Sequence, residues 1–167
     1  MKRSALVVLI VAAVAVSGLI AATETPKSDA FEKIKALAGV WEGTGHDGKP
    51  AKVSYTVVSA GSAVMEQLEP GEEHDMVTMY NKDGARLMMT HYCASGNQPR
   101  MRAANALADG NKISFSFVDA TNLAKPTDGH MVKLVMTFPD PDHLTEEWTY
   151  RTNGKDDTMV FNFARKQ

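Results

Sequence analysis

Apolar and polar positions divide the chain into two unlike parts. Residues 5–16 form an unbroken apolar run (ALVVLIVAAVAV), whereas from residue 40 onward apolar side chains recur at every second position in short stretches. A period of two is the mark of a strand with one buried face. It predicts ten strands, at 40–43, 52–58, 63–69, 75–81, 85–93, 101–107, 112–119, 130–138, 143–151 and 158–165. The alternation is plainest where Ile113, Phe115 and Phe117 oppose Ser114 and Ser116, and where Met159, Phe161 and Phe163 oppose Val160, Asn162 and Ala164. Turn residues punctuate the series, among them His46-Asp47-Gly48, Ala60-Gly61, Pro70-Gly71, Lys82-Asp83-Gly84, Asp109-Gly110 and Asn153-Gly154. One helix precedes the strands: Ser28 or Asp29 caps it, Phe31, Ile34, Leu37 and Ala38 recur at helical spacing, and Gly39 stops it. Ten short strands at hairpin spacing predict an all-β antiparallel meander barrel with a short N-terminal helix, because closure removes the exposed edges that so many strands would leave.

The leading apolar run changes the picture of where the protein works. Lys2 and Arg3 precede it, Ser17 and Gly18 break it, and Ala21-Ala22 offers small residues to a peptidase. This is the pattern of a secretory signal peptide over residues 1–22, and the run is shorter than the roughly 20 residues that span a bilayer. The expected organisation is a signal peptide at 1–22, a polar linker at 23–28 and one barrel domain at 29–167, periplasmic or secreted, with no stable membrane span after cleavage. Removing Lys2 and Arg3 leaves 18 − 2 = 16 basic residues against 20 acidic ones, a mature charge of 16 − 20 = −4. That balance argues against a nucleic-acid partner, which needs clustered Lys and Arg. Cys93 is the single cysteine, so no internal disulfide can form.

Gly39-Val40-Trp41, entering the first strand after a short helix, together with Arg165 near the end of the last strand, resembles the calycin superfamily of lipocalin-like barrels. The resemblance implies that Trp41 closes one barrel end and that Arg165 packs across it, with Gly39, Trp41 and Arg165 as the structural signature. Residues 37–45 (LAGVWEGTG) are also similar to the opening of nitrobindin-type barrels, which implies haem as a cofactor. His130 and His143 flank late strands, where such barrels place the axial ligand, but the residues around them depart from that pattern. The block 59–101 resembles secreted bacterial lipocalin-like proteins of unknown function, a likeness that carries no activity.

The densest polar patch is residues 90–100 (THYCASGNQPR). Reading Lys82-Asp83-Gly84 as a three-residue hairpin loop sets Met79 opposite Leu87, Val77 opposite Met89 and Asp75 opposite His91. Val77, Met79, Leu87 and Met89 then form the inner face, and Asp75, His91 and Cys93 continue it toward one barrel mouth. An ionised Asp75 there would favour a protonated His91, and that in turn a Cys93 thiolate. Three readings follow: a structural His91 satisfied by Asp75, a polar anchor for a ligand, or a Cys-His-Asp nucleophile. No oxyanion hole is identifiable for the last, and no catalytic residue is assigned. The five His lack HxH or HExxH spacing, so no metal centre is predicted. Glu146 and Glu147 are adjacent on a strand, face opposite ways and cannot share a site; Trp148 shares the face of Glu146 and Tyr150, either as plain core or as an aromatic wall. The candidate ligand-binding residues are Asp75, His91, Cys93, Asn97, Arg100 and Trp148. The expected function is binding of a small apolar or amphipathic molecule, with a nitrobindin-type haem protein and a filled structural or interaction module as alternatives.

Overall fold

The computed structural model describes residues 29–69, 75–104 and 111–167. The expected signal peptide and linker, the Pro70-Gly71 and Asp109-Gly110 turns and the end of the sixth expected strand lie outside the described residues.

One helix, α1 (Ala30–Lys35), opens the described chain. Asp29 caps it, its Oδ1 accepting from the Phe31 N–H at 3.0 Å. Ten strands follow: β1 (Gly39–Thr44), β2 (Pro50–Val58), β3 (Ala63–Leu68), β4 (Met76–Asp83), β5 (Arg86–Tyr92), β6 (Gln98–Ala104), β7 (Lys112–Thr121), β8 (His130–Asp140), β9 (His143–Thr152) and β10 (Lys155–Arg165). Each pairs antiparallel with the next, and β1 pairs with both β2 and β10, so the sheet closes into a ten-stranded meander barrel. The fold is therefore the all-β barrel with a short N-terminal helix that the alternation predicts. Among the described residues no helix is long and apolar enough to cross a membrane.

Helix α1 covers the barrel end where β1 begins and β10 finishes. It buries Ala30, Phe31 and Ile34 against the barrel, and Lys82 at the end of β4 reaches Asp29 at 2.5 Å. Trp41 is fully buried beneath it, and its Nε1 donates to the Leu37 carbonyl at 2.8 Å. The Arg165 guanidinium lies 4.2 Å above the indole and donates to the carbonyls of Ala38 (2.9 Å) and Ala36 (2.8 Å). Gly39 sits at φ +132°, with Arg165 Nη1 only 3.3 Å from where a side chain would begin.

At the opposite end, loops tie to one another. Asn97 Nδ2 donates to the Gly129 carbonyl at 2.8 Å, and Asn122 Nδ2 to the Gly96 carbonyl at 2.6 Å. Gly129 leaves the room that Tyr150 occupies, since a Cβ there would stand 1.9 Å from the tyrosine Oη. Arg100, near this end on β6, points outward and forms a two-pronged pair with Asp119.

The β4–β5 hairpin differs from its expected register. Asp83 pairs with Arg86, leaving a two-residue turn at Gly84-Ala85 with Gly84 at φ +58°. Lys82 then faces Leu87, Tyr80 faces Met89 and Thr78 faces His91. The offset from the expected pairing is odd, so β4 presents its other face to the interior. Thr78 and Tyr80 point in, whereas Val77 and Met79 are half-buried on the outside.

Candidate functional site

Inward-facing positions on β2 to β5 build a polar belt. Tyr55 pairs across the sheet with Glu66, Glu66 with Thr78, and Thr78 with His91, so these four side chains lie side by side on one inner layer. All are buried, as are Glu146 and Trp148, which β9 sends in from the other side. The remaining wall is apolar: Met101 on β6, Ile113 and Phe115 on β7, Leu134 and Met136 on β8 are all fully buried. The interior is thus two-sided, with carboxyl, hydroxyl and imidazole groups facing a hydrocarbon surface.

Hydrogen bonds link the polar half into a cluster. Tyr55 donates its hydroxyl to Glu146 Oε1, and Trp148 Nε1 donates to Glu146 Oε2 at 3.0 Å. Tyr80 donates to Glu66 Oε2. Thr78 Oγ1 lies 3.0 Å from His91 Nδ1, and the imidazole tilts against the Trp148 ring at 4.6 Å between centroids. Two buried atoms of the cluster have no partner: Glu66 Oε1 and His91 Nε2. A third, Asn97 Oδ1, lies at the loop end.

Burial dominates the electrostatics. It pushes the Glu66 carboxyl well above the usual range; repulsion from Glu146 adds to this and the Tyr80 hydroxyl opposes it. Burial likewise raises Glu146, against the donors Tyr55 and Trp148. The same cause holds His91 down at about 4, so it is neutral near pH 7. Tyr55 and Tyr80 are raised by burial first and the carboxyls second, which keeps both as hydroxyl donors. Among the described residues no Lys or Arg is buried. Two carboxyls therefore share the interior with no cationic side chain beside them.

The residues expected to bind ligand are not gathered in one place. His91 and Trp148 meet inside the barrel. Asp75 does not reach His91: the hairpin offset puts it beyond Thr78, exposed, where Gln67 Nε2 donates to it at 3.1 Å. The expected relay from Asp75 through a charged His91 to a Cys93 thiolate is therefore corrected, since His91 faces Thr78 and burial keeps it uncharged. Cys93 is half-buried just beyond β5, in the turn that its carbonyl closes by accepting from the Gly96 N–H at 2.9 Å. Asn97 is buried in that same loop, and Arg100 is exposed on the outer surface.

Glu66, Tyr55, Thr78 and Tyr80 escaped the sequence reading, although one signal for Glu66 was present. Val64, Glu66 and Leu68 occupy alternate positions of one strand, and an acid flanked in this way must enter the core or force its neighbours out. Glu146, between Leu144 and Trp148, carries the same signal. Its acidic companion is Glu66 across the barrel, not the adjacent Glu147.

Among the described residues, cavities outside this cluster lie at each end of the barrel. One of about 350 Å³ at the α1 end is bordered by Lys33, Leu37, Trp41, Phe138, His143 and Arg165. Another, about 380 Å³, lies at the loop end between Phe117, Leu123, Pro126, His130, Val132 and Arg151. They bear on the two histidines considered for haem. His143 does not fit an axial ligand in an apolar pocket: it is exposed and its Nδ1 is 2.8 Å from Asp140. His130 fits better, being buried, with Nδ1 donating to the Asp128 carbonyl at 2.7 Å and its ring against Phe117. Among the described residues no group of three or more His, Cys, Asp or Glu is placed to hold a metal ion. No protein-family model matches the chain, and no curated protein matches it.

Proposed function

We propose that this chain is an exported lipocalin-like barrel that binds a small amphipathic molecule. The apolar body would lie on the Met101, Phe115 and Leu134 wall, whose fully buried side chains must part to admit it, and the polar end would meet the belt. The observation that carries this reading is the pair of buried, unpartnered atoms Glu66 Oε1 and His91 Nε2. Such an atom costs about 1–3 kcal/mol if nothing satisfies it, and in a two-sided interior a ligand's polar group is a natural partner.

The test is titration with N-phenyl-1-naphthylamine, a neutral amphipathic fluorophore. Saturable one-to-one binding is expected, with quenching of Trp148 that survives in Trp41→Phe, where Trp148 is the only tryptophan left. Unsaturable partitioning, or quenching lost with Trp41, would remove the reading. Hemin is titrated in parallel: a saturable Soret shift that His130→Ala abolishes would replace the amphipathic-ligand reading with the haem one.

Export rests on the pattern of residues 1–22. Protein recovered from outside the cytoplasm of its producing cell is expected to have an intact mass lacking about 22 residues. A chain that still begins at Met1 in the membrane fraction would contradict export while leaving ligand binding untouched.

A further inference from the structure

We propose that the ligand is an organic cation, an ammonium-type head on an apolar body, and that Glu66 supplies its counter-charge inside the barrel. This rests on the amphipathic-ligand reading and narrows it to one charge class.

Glu66 and Glu146 are both fully buried, and among the described residues no Lys or Arg is buried with them. Carboxyls this far from water are ordinarily paired with a cation, and these have only hydroxyl and indole donors. Glu146 has a donor on each oxygen, whereas Glu66 has one on Oε2 and none on Oε1. Glu66 Oε1 is thus the acceptor with capacity to spare. The rings of Tyr55, Tyr80 and Trp148 accompany the two carboxyls, and aromatic faces attract cations. His91, uncharged, adds no positive charge to repel one. An anionic head would meet two acids, and a neutral head would leave Glu66 protonated, with no ion pair gained.

Proton linkage gives the idea a signature. The titratable groups facing Glu66 are Tyr55 from β2, Tyr80 from β4, His91 from β5 and Glu146 from β9. Without a cation, burial and Glu146 favour the protonated Glu66 carboxyl. A cation reverses that preference, so binding releases a proton and strengthens as pH rises.

The experiment displaces N-phenyl-1-naphthylamine from the purified full chain with three ligands of matched length: octylammonium, 1-octanol and octanoate. Octylammonium is expected to bind roughly tenfold or more tightly than octanol, the size of a charge-assisted hydrogen bond, with octanoate weakest. Its affinity should rise as pH climbs above the ordinary carboxyl value of 4.5, and calorimetry in two buffers of different ionisation heat should show proton release. Glu66→Gln should erase the advantage of octylammonium over octanol and abolish the proton release. If that variant does not fold, Glu146→Gln is used, and the pH and proton-release measurements on the wild type decide by themselves. Octanol binding as tightly as octylammonium, without proton release, overturns the cation proposal and leaves the amphipathic reading standing. Failure of all three ligands and of the fluorophore to bind overturns both.

Discussion

Replacing Trp41 by Ala is expected to lower the free energy of unfolding by about 3–5 kcal/mol, the range for deleting a large buried aromatic. Trp41 is fully buried where three elements meet. Its indole N–H ends on the Leu37 carbonyl just beyond α1, its backbone pairs with β2 and β10, and Arg165 lies across its ring. The substitution opens a cavity under α1 and leaves Arg165 without its platform. Arg165→Ala alone removes the stacking and two hydrogen bonds to the Ala36 and Ala38 carbonyls, and is expected to cost less, about 1–3 kcal/mol. Because the two side chains act together, the double variant should be more stable than the summed losses suggest. Urea unfolding followed by far-UV circular dichroism measures all three. Strict additivity would mean that the guanidinium and the indole do not stabilise one another.

The closed end was legible in two ways. Asp29 before an amphipathic stretch and Gly39 as a stop are local and chemically distinctive, whereas Trp41 and Arg165 were assigned their places by the resemblance to lipocalin-like barrels. The ten strands were legible for a related reason: period-two alternation and turn residues act within a few positions. The interior site was much harder to see. Its members come from β2, β3, β4, β5 and β9, and which of them meet depends on registers that short turns fix. One hairpin shows how sensitive this is. Val77 and Met79 resemble a core face, but the two-residue turn at Gly84-Ala85 turns them outward and brings in Thr78 and Tyr80, whose hydroxyls then find His91 and Glu66. Methionine tolerates that half-buried outer position, so side-chain chemistry alone could not choose the face. Glu66 and Glu146 are 80 positions apart, and their proximity follows from closure of the barrel, which no local pattern encodes.

A large pH effect is expected from His91, and it runs opposite to that of the buried acids. In the fold His91 is held at about 4, against about 6.5 when unfolded. Between those values the unfolded chain binds the proton more readily, so stability falls as pH drops through this window. A difference of this size corresponds to about 3 kcal/mol once pH reaches the lower value. Glu66 is raised, not lowered. The folded state then holds the extra proton, and its contribution is complete below the ordinary value of 4.5 and declines as pH rises. In the wild type the two slopes partly offset one another between about pH 4.5 and 6.5, and above 6.5 only the acids contribute. Variants separate them. His91→Gln is expected to gain on the wild type by about 3 kcal/mol as pH falls from 6.5 to 4, because the glutamine has no proton to take up. Glu66→Gln should gain in the other direction, by up to about 1.4 kcal/mol for each pH unit over which Glu66 keeps its proton. Urea midpoints taken at successive pH values read both differences. If His91→Gln tracked the wild type in parallel down to pH 4, the imidazole would be reaching water in the folded state. The dry interior that the Glu66 and His91 argument depends on would then have to be abandoned.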